Sequence, residues 1–117
     1  MAKALLLAWS TPASEESIDE FNRWYDELHI PQTKQAVPSI GTVTRYRLAD
    51  PSGSTSPTRF LTVYELDESD VERANEVLMD AAKNGRLDAT ETMDRTIDPP
   101  KLEWYVQHTS STDQQEK

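Results

Sequence analysis

A histidine, a carboxylate and a phenol fall within one helical turn of each other in the run Phe21-Asn22-Arg23-Trp24-Tyr25-Asp26-Glu27-Leu28-His29-Ile30-Pro31. Residues three and four apart share a helix face, so Asp26 can orient the His29 imidazole while Tyr25 flanks it, the minimal arrangement for moving a proton. Pro31 has no N–H for the helix ladder and restricts the residue before it, so the helix is expected to stop or kink near Ile30. His29 then lies in the last turn, where the helix dipole and Asp26 favour imidazolium while the neighbouring Trp24 and Tyr25 rings disfavour charge by desolvation. The two influences are expected nearly to cancel and leave the ring titrating close to neutrality. On spacing alone, a histidine that caps the last carbonyls is the simpler reading.

Other side chains extend the possible chemistry. Tyr46 and Tyr64, on separate strand-like runs, can donate hydrogen bonds to a carbonyl or phenolate, although aromatics are ordinary in sheets. Arg45 and Arg47 flank Tyr46; one of them can hold a carboxylate or enolate, or simply form an exposed ion pair. Trp9, Trp24 and Trp104 suit the core and the wall of an apolar pocket, and His108 abuts the polar C-terminal stretch. With no cysteine in 117 residues, disulfides, thiol nucleophiles and zinc–thiolate sites are excluded. Two distant histidines make a weak metal site. Three glycines form no phosphate loop, and no serine sits in a nucleophile elbow. The net charge of −9 argues against nucleic acid, which calls for a basic face. The apolar run over residues 4–9 is too short to span a bilayer and lacks a signal-peptide cleavage site. A soluble, cytoplasmic protein is expected.

The positioning elements follow from periodicity. Residues 3–9 read as a strand apolar on both faces and therefore central in a sheet. Ser17-Ile18-Asp19-Glu20 fits a capping box opening a helix whose stripe is Ile18, Phe21, Trp24 or Tyr25, and Leu28. A short helical stretch over residues 31–37 follows. Residues 41–48 read as a second strand, 50–58 as a Pro/Ser/Gly loop, and 59–66 as a third strand apolar on both faces. Ser69-Asp70-Val71-Glu72 is a second capping box, and its helix, striped by Val71, Ala74, Leu78 and Ala81 or Ala82, stops at Asn84-Gly85. Residues 86–100 are ambiguous, with a short helix expected over 87–93. Residues 102–108 form a last strand. The domain is expected to span 1–109, with 110–117 a disordered polar tail.

The order β-α-β-β-α-β is the ferredoxin-like α+β fold, a four-stranded antiparallel sheet with its first and third strands central. Two helices cover one face only. The other carries large apolar side chains and needs a cover, most economically a second copy of the chain, so a homodimer is expected.

The aromatic pair ahead of His29-Ile30-Pro31, the Ala36-Val37-Pro38 turn and the strand bearing Arg45-Tyr46-Arg47 together resemble the dimeric α+β barrel superfamily, and within it the EthD-like group. The resemblance covers residues 3–108 as architecture and 21–47 as motif, with Pro38-Ser39-Ile40-Gly41 displacing the usual glycine. It implies that His29 lies beside a pocket, and it implies a fold shared by cofactor-independent lyases, isomerases, polyketide cyclases and haem-binding enzymes. Similar haem degraders carry an asparagine on the first strand and a histidine on the second helix; this chain has Trp9-Ser10 and no histidine there. The expected function is therefore a small enzyme without a cofactor that acts on an aromatic or polyketide-like molecule. His29 would be the acid/base with Asp26 as its partner, and Tyr46 or Tyr64 would polarise an oxygen. Trp9, Trp24, Tyr25, Arg45 and Trp104 would enclose and hold the ligand. The alternative is a non-catalytic module that binds a small molecule or a partner protein through the same pocket.

Overall fold

The computed structural model describes residues 2–53 and 58–111. Part of the expected loop (54–57) and most of the expected tail (112–117) lie outside them. Four strands, β1 (Ala4–Ser10), β2 (Ile40–Arg47), β3 (Phe60–Leu66) and β4 (Lys101–Val106), form one antiparallel sheet in the order β2-β3-β1-β4. The two strands apolar on both faces are the two central ones, as expected. On β1 and β3 burial alternates strictly, with Ala4, Leu6, Ala8 and Ser10 beside Phe60, Thr62, Tyr64 and Leu66 buried beneath the helices. Leu5, Leu7, Trp9, Leu61 and Val63 lie on the opposite face and are only partly covered.

The first helix departs from expectation at its most informative point. It does not end at Ile30. α1 (Ile18–Trp24) continues through a single π-helical turn (Tyr25–His29) into α2 (Ile30–Ala36). In a regular helix the Pro31 ring would strike the carbonyl four residues back. Here the turn widens, the Ile30 N–H bonds the Tyr25 carbonyl five residues back, and Pro31 occupies the opening of α2, where it is tolerated. The chain leaves the helix only at Val37, whose N–H still reaches the Thr33 carbonyl at 3.0 Å.

The other expected caps are met in part. Ser17 precedes α1 but makes no side-chain cap; its hydroxyl pairs with that of Ser14 at 2.9 Å. α3 (Val71–Lys83) is capped by Asp70, one residue beyond Ser69, which accepts the Arg73 N–H. It stops at Gly85, whose φ of 76° is the left-handed geometry glycine supplies without strain. Residues 87–93 do not form the expected helix. The Thr90 hydroxyl takes the Thr92 N–H and meets the Thr92 hydroxyl, so local side chains compete with the helical ladder. The segment instead crosses the open end of the sheet, joined to the chain after β1 by Ala13 N–H to Thr92 O and Asp94 N–H to Thr11 O. An Arg59–Asp98 ion pair, in which Thr11 also takes part, anchors its far end. Among the described residues no helix is long and apolar enough to cross a membrane.

Candidate active site

Between α1–α2, α3 and the buried face of the sheet lies a cavity of about 410 Å³, roofed by residues 87–95, within the range that holds a drug-sized ligand. Its lining is mainly apolar, with Leu6 and Ala8 below, Leu78 and Met79 from α3, and Leu87 and Met93 from the roof. The π turn arranges the side chains on one wall. Positions five apart point away from each other on a regular α-helix, but the widened turn brings Trp24 and His29 into a stack, centroids 4.6 Å apart and planes at 18°. Tyr25 meets His29 edge-on at 4.9 Å. Such turns occur frequently at functional sites.

His29 Nδ1 is buried with no partner among the described residues. The ring lies in mid-helix, so the helix-end dipole invoked from sequence is absent, and the expected near-neutral titration is corrected. Burial, reinforced by the Arg45 guanidinium, lowers its pKa to about 4, and the imidazole is neutral at pH 7. Tyr64, 1 % exposed, brings its hydroxyl among those of Tyr25 and Thr33 but finds none in hydrogen-bonding geometry. Burial, with Tyr25 adding to it, pushes its pKa far up, so it is a permanent phenol. Thr33 Oγ1 is committed to the His29 carbonyl at 2.8 Å.

Several expected site residues lie elsewhere. Asp26 does not face His29. It points outward and pairs with Arg45 Nη1 at 3.3 Å. Arg45 is no exposed edge cation. Its side chain is 14 % exposed, with the guanidinium 4.4 Å from the Tyr25 centroid, 4.8 Å from Phe60 and 5.7 Å from Phe21, because its register position opposite Thr62 points it under α1. It lies behind Tyr25 and does not line the cavity. Tyr46, opposite Leu61, is on the other face of the sheet and 54 % exposed, so of the two tyrosines only Tyr64 lines the cavity that His29 borders. The Trp104 ring packs on the core and its Nε1 bonds Asn75 Oδ1 on α3 at 3.1 Å, away from the cavity. Trp9 borders the cavity through its strand position, while its ring lies beneath the Lys101 ammonium at 5.6 Å on the face opposite the helices. Trp24, Tyr25, His29 and Tyr64 are thus brought together; Tyr46, Asp26, Arg45 and Trp104 are not. Thr33, Ser10 and the roof residues were missed. Thr33 was signalled by its place one turn beyond His29, and Ser10 by continuing the alternation Leu6, Ala8 one step further. Among the described residues no three His, Asp or Glu side chains gather closely enough to hold a metal ion.

This sheet order and helical layer define a ferredoxin-like α+β protein, the fold of the superfamily the motif resembles. Solved structures share it at low identity. An EthD family protein from Bacillus halodurans superposes with a TM-score of 0.53 at 16% identity, over 90% of this chain and 99% of that one. A monooxygenase from the gene ActVA-Orf6 of Streptomyces coelicolor, in complex with nanaomycin D, superposes with a TM-score of 0.55 at 10% identity, over 95% and 92%. No family model and no curated protein matches the sequence.

Proposed function

We propose that the protein is an enzyme that takes a largely apolar, oxygen-bearing aromatic or polyketide-like molecule into this cavity and moves a proton on it. Neutral His29 acts as the base and Tyr64 as hydrogen-bond donor to the oxygen that gains charge. The observation that carries the reading is the pair of buried polar groups, His29 Nδ1 and Tyr64 OH, that border an apolar cavity without partners among the described residues. Unpaired buried polar atoms destabilise a fold by about 1–3 kcal/mol each, and a phenol aimed at a developing oxyanion is an established way of stabilising one. Tyr64 stays protonated throughout, as a donor must. A base of pKa about 4 holds a proton poorly in the empty cavity. A ligand that becomes an enolate or phenolate supplies the counter-charge and raises that basicity at the moment of transfer. The proton then passes on to another atom of the ligand, as isomerisation, elimination or cyclisation each require. The monooxygenase with bound nanaomycin D lends the fold a precedent for small-molecule chemistry. Weak basicity favours the second reading, a binding module in which His29 only accepts a hydrogen bond.

Ala8 provides the test. It is buried on the cavity floor, and a larger side chain there fills existing space instead of displacing neighbours. In a screen of phenolic ketones and poly-carbonyl compounds, A8L is expected to bind and turn over at least about tenfold less while melting at or above the wild-type temperature. Activity that survives A8L would assign the chemistry to another part of the surface.

The second copy belongs to the same proposal. Tyr46 and Tyr105, 54 % and 51 % exposed, flank the half-covered Leu5, Leu7, Leu61 and Val63 on the face opposite the helices, an apolar expanse that suits a two-fold partner. Light scattering is expected to return the mass of two chains at micromolar concentration; the mass of one would remove the dimer.

A further inference from the structure

A buried charge stands behind the cavity wall. The Arg45 guanidinium lies 4.4 Å from the centroid of the Tyr25 ring, and Tyr25 lines the cavity that Arg45 itself does not reach. The charge is poorly neutralised where it lies. Its ion pair with Asp26 Oδ1, at 3.3 Å, is to a carboxylate that is 59 % exposed and screened by water. Its Nε and Nη2 are buried without partners among the described residues. Among the rings of Phe21, Tyr25 and Phe60 little screens a unit charge over several ångströms. Both polar groups of the cavity feel it: Arg45 adds to the burial that holds His29 unprotonated, and it favours the ionised form of Tyr64 against the larger effect of burial. The Tyr25 and Tyr64 hydroxyls are neighbours, yet they do not bond each other. Thr33, the third hydroxyl there, donates to the His29 carbonyl at 2.8 Å. Two phenols thus stand side by side as donors, and one acceptor between them engages both. Such an acceptor, close to a cation, is held best when it carries negative charge.

We infer that the cavity binds its ligand's oxygen as an anion, a phenolate or enolate held by the Tyr25 and Tyr64 hydroxyls, with Arg45 as a positioning residue whose charge acts across the Tyr25 ring. The inference rests on reading the cavity as a ligand site and adds the ionisation state of the bound group, a second donor and the source of the field. The other charged groups on the cavity wall are of opposite sign and both belong to the roof: Asp88, held by Gln32, and Arg95. Acidic phenols and 1,3-dicarbonyl compounds, whose anions form most readily, are then selected over alcohols and simple ketones.

4-Nitrophenol is the probe, because its phenolate is yellow and its phenol is not, so absorbance reads the ionisation of the bound molecule as its proton passes to the buffer. Its pKa is expected to fall by at least about one unit on binding the wild-type protein, which means that the anion binds at least about tenfold more tightly than the phenol. Y25F keeps the ring and removes one donor, and R45M removes the charge; each is expected to take back most of that shift. The Kd of 4-nitroanisole, which cannot ionise, is expected to stay within a few-fold in both. D26N, on the exposed side of Arg45, unmasks the guanidinium and is expected to move the bound pKa the other way, further down by about a few tenths of a unit; it tests Arg45 even if R45M fails to fold. H29Q is expected to keep the shift. A bound pKa at or above its value in water overturns the anion site and leaves the cavity to neutral ligands. A shift lost in H29Q assigns the counter-charge to an imidazolium and overturns the inference as well, as does a shift that survives Y25F or ignores D26N. If neither probe binds, the cavity reading fails and this inference with it. Loss of the proposed proton transfer alone, with the phenolate still bound, leaves it standing.

Discussion

H29Q is expected to lower turnover by about 10²–10⁴, the usual contribution of a positioned general base, while the protein folds as the wild type does. The second half of that expectation is as specific as the first. The His29 ring makes no side-chain hydrogen bond within the described residues, and its contacts are the Trp24 stack and the Tyr25 edge, together about 1–3 kcal/mol beyond burial, less than the margin of an ordinary domain. Glutamine keeps a comparable volume and a hydrogen-bond acceptor but cannot take a proton. If the imidazole only accepts a hydrogen bond from the ligand, glutamine replaces it and Kd and any turnover stay within a few-fold; that result would establish the binding-module reading. A loss of kcat with Kd retained assigns His29 to the chemical step.

The fold was legible because hydrophobic alternation reports burial directly. Leu5, Leu7 and Trp9 against Ala4, Leu6 and Ala8 marked β1 as central, and the sheet order agrees. The site was legible only in part. Periodicity of 3.6 put Asp26 and Tyr25 beside His29, but the helix is not regular there. The π turn that accommodates Pro31 pairs His29 with Trp24, five positions back, and turns Asp26 outward to Arg45. Single-residue features such as a proline foretell a disturbance without saying whether the chain breaks, kinks or widens. Tyr46 and Tyr64 were indistinguishable as strand tyrosines until the β2–β3 register assigned them to opposite faces. Arg45 looked like an edge cation, yet an inward register position on an edge strand is buried by whatever packs across it, here Phe21, Tyr25 and Phe60. The roof was least legible, since residues 86–100 carry neither period, and their conformation is set by side-chain-to-backbone bonds such as those Asp94 accepts from Thr96, Ile97 and Asp98.

Acid is expected to unfold the wild-type protein more readily than H29Q, with the difference developing between about pH 6.5 and pH 4. In the unfolded chain the imidazole takes up its proton near 6.5; in the folded protein burial, aided by the Arg45 charge, delays uptake until about 4. Between those values only the unfolded state binds the proton, so stability falls as the pH is lowered through that window, is fully present above it, and changes no further on this account below it. A separation of about 2.5 units corresponds to roughly 3 kcal/mol at most, a large share of the 5–15 kcal/mol that holds an ordinary domain together. The groups around the ring explain why nothing offsets the cost. Trp24 and Tyr25 meet the ring with aromatic faces and edges, Asp26 is turned to Arg45, and Asp88 at the roof is held by Gln32 at 2.8 and 3.1 Å. Carboxylates elsewhere also titrate toward pH 4, and they do so equally in both proteins, so the difference between the two stability curves isolates the histidine. Urea denaturation at intervals from pH 4.5 to 7.5 measures it, and an NMR titration should find the His29 ring unprotonated from pH 5 to 9. Superimposable curves, or a ring that protonates near 6.5, would mean that the imidazole is hydrated or paired in the folded protein. In that case most of the imidazole would be protonated at pH 6, and the neutral base on which the proposed proton transfer depends would be a minority form there.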